Sequence, residues 1–234
     1  MKLIKLSLAA AVLATGMLAA ETSEVGISAN MAITSNYVWR GMTQTGNSPA
    51  IQGGVDLDFK GAYTGIWASS FEGSDASAEF DIYLGYANEI SGFSYDVGYT
   101  QFMYPNDTEA SNFGEAHVKL GYDFKVVSIE AAYFLGVDTN DAAVTAENWE
   151  PGDGWEVSAS VPLPMDVSID ATYGSYDDAG TENSPTNNFG DYYLVSVAKS
   201  FGKFDFTLAY TGMNYEDAAN EDEDNFIVTV GTEF

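Results

Sequence analysis

Apolar and polar residues alternate with a period of two along most of the chain, and helical 3.6-residue spacing is scarce beyond the first residues. In the first segment Val25, Ile27, Ala29, Met31 and Ile33 form an apolar row. The same phase carries on to Tyr37 and Trp39, leaving Gly26, Ser28, Asn30, Thr34, Asn36 and Arg40 on the opposite face. A second segment sets Ile51, Val55, Leu57 and Phe59 against Gln52, Asp56, Asp58 and Lys60, and a third places Tyr63, Trp67 and Phe71 on one face. Phe80, Ile82, Leu84 and Tyr86 then alternate with Glu79, Asp81 and Tyr83. Later segments begin at Phe93, Ala116, Val127, Trp155, Val167, Phe204 and Phe226. Tyr192 to Lys199 fits either phase, and Tyr193, Val195 and Val197 are taken as its apolar row. The pattern predicts about twelve strands of roughly 8–12 residues, long enough to cross a bilayer at a tilt.

The connections alternate in length. Short turns fall at Lys60-Gly61, Asn88 to Gly92, Phe124-Lys125, Pro162 to Asp166 and Ser200 to Lys203. Longer polar loops lie at Gly41 to Pro49, Glu72 to Ala78, Pro105 to Gly114, Asp138 to Gly154, Tyr176 to Gly190 and Asn214 to Asp224. An even strand count with this asymmetry predicts an all-β fold, a transmembrane antiparallel up-and-down barrel with short periplasmic turns and longer acidic extracellular loops. A soluble lipocalin-like barrel also alternates, with its apolar face inward. Charged inward rows and aromatic residues at the ends of the apolar rows favour the membrane version. Phe226, Val228 and Val230 lie in phase ahead of Phe234, a pattern that reads as an assembly signal for the barrel-insertion machinery.

The N-terminus changes the picture of the compartment. Lys2 and Lys5 precede an apolar run from Leu6 to Leu18, and Ala19-Ala20 offers a small residue at a cleavage point before Glu21. Residues 1–20 are therefore expected to be a cleaved export signal, and residues 21–234 one barrel domain. Removing two of the 8 basic residues leaves 6 against 35 acids, a charge of −29. Such a balance argues against nucleic acid as a partner. There is no cysteine, so no disulfide framework and no thiolate metal site, and no cofactor motif is found.

Candidate chemistry collects on the inward phase. Asp56, Asp58, Glu79, Asp81, Asp96, Glu115, Glu130, Glu156, Asp170 and Asp205 face Arg40, His117, Lys119 and, in one phase, Lys199. A water-filled tube walled by fixed negative charge favours cations. Arg40, the chain's one arginine, is expected at the long-loop end of the first strand, paired with Asp56 or Asp58. Tyr83, Phe102 and Phe134 share the inward phase and narrow the bore. His117, flanked in phase by Glu115 and Lys119, is the one histidine and the only group that suggests a hydrolase, with no activated nucleophile beside it. The acidic run Glu221–Asp224 lacks the ligand spacing of a calcium loop.

The stretch Ser35-Asn36-Tyr37-Val38-Trp39-Arg40-Gly41-Met42-Thr43-Gln44, followed by Pro49-Ala50-Ile51-Gln52-Gly53-Gly54, resembles the opening motif of the TorF-family porins. Gly65-Ile66-Trp67-Ala68-Ser69, Tyr104-Pro105, Asn112-Phe113-Gly114-Glu115 and Ala198-Lys199-Ser200-Phe201-Gly202 extend it over nearly the whole chain. The resemblance implies a solute-conducting barrel of a Gram-negative outer membrane and supplies no catalytic residues. The expected function is passive diffusion of small hydrophilic solutes or cations, with the bilayer and the assembly machinery as partners. A non-conducting structural or adhesive barrel with acidic surface loops is the alternative.

Overall fold

The computed structural model describes residues 25–73, 76–106, 112–138, 152–178, 187–217 and 220–234. The expected export signal, residues 1–20, and much of the acidic loop at 139–151 lie outside them. Twelve strands build a closed wall: β1 (Gly26–Thr34), β4 (Ala50–Phe59), β5 (Ala62–Ser70), β6 (Ala78–Ile90), β7 (Phe93–Met103), β8 (Phe113–Asp123), β9 (Ser128–Asp138), β10 (Gly154–Leu163), β11 (Val167–Asp178), β12 (Asn187–Phe201), β13 (Phe204–Tyr215) and β14 (Glu223–Glu233). Two further short strands, β2 (Val38–Trp39) and β3 (Met42–Thr43), pair only with each other and form a separate hairpin.

Each wall strand pairs antiparallel with its neighbours in sequence, and β1 closes the barrel on β14 through Asn30–Thr34 against Thr229–Glu233. Mutual backbone hydrogen bonds between Ala29 and Phe234 extend that seam by one step. Closure leaves no free sheet edge, which a bilayer demands of any strand that crosses it. Tight turns connect the strands at one end. At two of them the central residues both have positive φ: Lys60 and Gly61 at 52° and 91°, and Ser91 and Gly92 at 54° and 88°. That is the type I′ geometry whose twist matches the flanking strands.

Alternation sorts the strand residues onto two faces. Ile27, Ile51, Ile66, Leu84, Val118, Val157, Val195 and Leu208 stand on the exposed outer face. Tyr133, Tyr173 and Tyr210 stand in its rows toward the long loops, and Phe59, Tyr86, Phe93 and Phe204 toward the tight turns. Among the described residues, charge reaches the outer rows only at the rims, at Asp177, Asp191 and Asp224 on the long-loop side and Lys199 on the other. This is the surface of a barrel solvated by hydrocarbon across its middle, with aromatic bands at both boundaries.

The structure corrects the sequence reading at several places. β1 stops at Thr34, and Tyr37 and Trp39 do not extend its outer row but turn into the barrel. Tyr63 and Trp67 also point inward, leaving Thr64 and Ile66 outside. The tenth segment takes the favoured phase, with Val195 and Val197 outside, yet this puts the apolar Leu194 inside against Ala209 and Ile227. Lys199 lies outside and gives its ammonium to the Met165 carbonyl at the tight-turn rim, 2.8 Å away.

Candidate functional site

The wall of the bore is made of inward side chains, and its outer half is filled by the segment between β1 and β4. Asn36 turns that segment inward: its amide donates to Asn225 Oδ1 and Asn47 Oδ1, each at 3.0 Å, and its carbonyl oxygen accepts from the Thr43 hydroxyl at 2.7 Å. β2 and β3 follow as a two-residue hairpin. Arg40 and Gly41 form its tip with φ of 47° and 83°, the same I′ signature as the turns in the wall. A Cβ on Gly41 would stand 2.2 Å from the Gly212 carbonyl oxygen, so only glycine lets the tip meet the β13 backbone.

Each hairpin residue packs on a different part of the wall. Tyr37 joins Ala50, Trp67 and Tyr83; Met42 joins Tyr176, Tyr192 and Met213; Val38 lies against Leu194, Ala209 and Ile227. Trp39 contacts Phe102, Phe113 and Tyr176, edge-on to the first and last. Burying side chains of this size is worth about 1.5–3 kcal/mol apiece. The hairpin is therefore seated rather than loosely hung.

Arg40 spans the bore. Its Nη2 meets Glu115 Oε2 on β8 at 2.7 Å, with both side chains buried. The guanidinium carbon lies 4.4 Å from the Trp39 ring centre, 4.5 Å from Phe134 and 4.8 Å from Tyr176. Arginine suits such a place because its flat, weakly hydrated cation stacks on aromatic faces while it binds a carboxylate. Its Nη1 has no hydrogen-bond partner. The expected pairing with Asp56 or Asp58 does not occur. Those residues sit nearer the tight-turn end, where Tyr83 donates its hydroxyl to Asp56.

The remaining named groups divide by level and by partner. Asp96 accepts from Tyr63 at 2.8 Å and lies 3.4 Å from His117 Nε2; Lys119 is opposite Asp96 in register. Lys119 Nζ and Arg40 share the Phe134 ring, so the inward bases collect on β8 and its surroundings. Glu130 faces Ser158 across the β9–β10 ladder. Asp170 accepts from Ser160 at 2.6 Å and Ser168 at 3.0 Å, and Asp205 from Ser200. Phe226, Val228 and Val230 stand on the outer row of β14, with Phe234 exposed.

One feature escaped the sequence reading. Tyrosine hydroxyls hold four of the bore's carboxylates: Tyr37 on Glu79 at 2.8 Å, Tyr63 on Asp96, Tyr83 on Asp56 and Tyr192 on Glu156 at 2.9 Å. The same device recurs at the long-loop rim, in Tyr133–Asp153, Tyr173–Asp191, Tyr193–Asp224 and Tyr215–Glu223. Burial, then the adjacent Glu79 and Asp81, push the phenols of Tyr37 and Tyr104 well above their ordinary value, so both remain donors. A sequence with 15 tyrosines and 8 lysines and arginines against 35 acids carries the signal in its composition. A hydroxyl satisfies a carboxylate without cancelling its charge.

A family model described as "Bacterial protein of unknown function (Gcw_chp)" matches residues 18–234. None of the curated proteins matches the chain in sequence. Among solved structures, the NanC porin superposes with a TM-score of 0.59 at 9% identity, over 89% of this chain and 99% of that one. The KdgM porin in complex with disordered oligogalacturonate gives 0.57 at 9% identity, over 89% and 97%. Salmonella typhi OmpF in complex with daunomycin gives 0.51 at 10% identity, over 90% and 97%. At these identities the likeness is one of fold: a porin-like barrel.

Proposed function

The chain belongs to the Gcw_chp family of bacterial proteins of unknown function, and we propose that it is an outer-membrane channel for small hydrophilic solutes that favours cations. The observation that carries this is the hydroxyl-held carboxylate lining. Asp56, Glu79, Asp96 and Glu156 all keep tyrosine donors, while Arg40 and Lys119 are the arginine and lysine on the same face. Fixed negative charge in a low-dielectric tube concentrates cations and excludes anions. The porin-like fold and the resemblance of residues 35–54 to TorF-family porins support the same reading. KdgM holds oligogalacturonate, an acidic saccharide; a bore lined like this one would repel such a polyanion.

The hairpin makes the channel narrow and conditional. With Trp39, Arg40 and Phe102 across the outer half, solute passes only as far as that plug yields. The same plug supports a second reading, a non-conducting structural barrel with acidic surface loops. Single-channel recording of the refolded protein in planar bilayers separates the two. Openings whose reversal potential in a salt gradient is cation-selective are expected. Silence in every condition favours the structural barrel, and anion selectivity defeats the electrostatic argument.

A further inference from the structure

Asp81 on β6 is the charged group that the hydroxyl device leaves out. It is fully buried, at 0% exposure, and neither carboxylate oxygen has a hydrogen-bond partner. Directly across the ladder stands Trp67, whose indole N–H is also buried and unpartnered. Asp81 thus passes over a donor within cross-strand reach. Glu79, two residues back on the same face, is 1% exposed and takes the hydroxyl of Tyr37, and it hydrogen-bonds Tyr104 as well. Phe102 faces Asp81 from β7. The bases are committed elsewhere: Arg40 to Glu115, with His117 beside Asp96 and Lys119 opposite it.

We propose that Glu79 and Asp81 form a binding site for one divalent cation inside the bore, beside the inner hairpin. Two enclosed carboxylates with no base against them are costly unless something offsets their charge. Two carboxylates supply the oxygen ligands that a hard cation prefers. The spacing fits: residues two apart on a strand stand about 7 Å apart, and oxygens on either side of a calcium ion are separated by about 5 Å. Among the described residues no group of three acids, histidines or cysteines forms a metal centre. This site has two carboxylates, with the phenol oxygens of Tyr37 and Tyr104 on the Glu79 side. Tyr37 lies three residues from Arg40, so the ion would brace the plug that governs passage.

The inference rests on the reading of the bore as a cation path, but its test does not depend on current. The full chain, refolded in detergent, is titrated with calcium and melted with and without chelator. The wild type should bind one calcium more than Asp81→Asn, and chelator should lower its melting temperature but not that of the variant. Glu79→Gln should behave like Asp81→Asn, and Glu221→Gln, in an exposed loop, like the wild type. Asp81→Ser serves as the second variant should Asn prevent insertion. Equal stoichiometry and equal melting in wild type and Asp81→Asn would overturn the site. So would a wild type stabilised by acid and indifferent to calcium, since the ligand is then a proton. A barrel that binds calcium through Asp81 yet never conducts rejects the channel and keeps the site.

Discussion

At the scale of single residues, Arg40 organises the bore because it is the one cation that three aromatic rings and a buried carboxylate share. Arg40→Gln leaves Glu115 buried and alone, and removing one partner of such a pair costs about 3–5 kcal/mol. Denaturant unfolding should show that loss in the hairpin's seating, and bilayer currents should become larger and noisier. Adding Glu115→Gln should return much of the stability, because the stranded charge is gone; an unrestored double variant would mean that the rings, not the ion pair, hold the tip. The inward carboxylates could be named from alternation, since period two fixes which face a strand residue takes. Their partners could not. Arg40 meets Glu115 because the segment after Thr34 folds back into the barrel, and no local pattern specifies a contact 75 residues away. Trp39, Tyr176, Tyr192 and Met213 were missed for the same reason, as an inward aromatic reads like an outward one until the path of the chain is known.

At the scale of elements, adjacent residues of β10 should behave oppositely. Val157→Lys places a charge in hydrocarbon at mid-strand and should destabilise by roughly 2–4 kcal/mol. Ser158→Lys points inward opposite Glu130 and should insert almost normally. Heat-modifiable gel mobility of the two refolded variants reads this directly, and equal tolerance would contradict the assignment of faces. The inner hairpin offers a sharper contrast. Gly41→Ala meets the Gly212 carbonyl and needs positive φ, so the tip should fail to seat while the wall, whose strands pair without the hairpin, still closes. Gly202→Ala, with open space around it, carries only the backbone strain of its turn and should change neither current nor mobility. The hairpin was legible in principle. Arg40-Gly41 between Val38-Trp39 and Met42-Thr43 has the same form as Lys60-Gly61 and Ser91-Gly92, but the alternation running from Val25 to Trp39 masked the break at Ser35. The wall itself was readable because twelve strands repeat one simple rule, whereas a plug is used once.

At the scale of the whole molecule, charge sets behaviour. The cation preference proposed for the bore should fall as salt rises, because the Debye length shrinks from about 10 Å at 0.1 M to about 3 Å at 1 M. Reversal potentials at a fixed gradient ratio and rising absolute concentration measure it; a constant preference would point to size rather than charge. The plug adds something that a static filter lacks. Both ends of residues 35–49 are fastened to β1 and β4 at the long-loop rim, so the segment can swing only toward that side. Arg40 is the single charged residue it carries. In the proposed channel such a segment would act as a hinged flap bearing one gating charge, on which the membrane voltage would pull once its seating gives way. A full crossing is worth about 2.3 kcal/mol per 100 mV for one charge, and a partial swing a fraction of that. Voltage negative on the long-loop side should lift the flap and voltage of the other sign should press it home, so that the barrel rectifies, and Arg40→Gln should make its current symmetric.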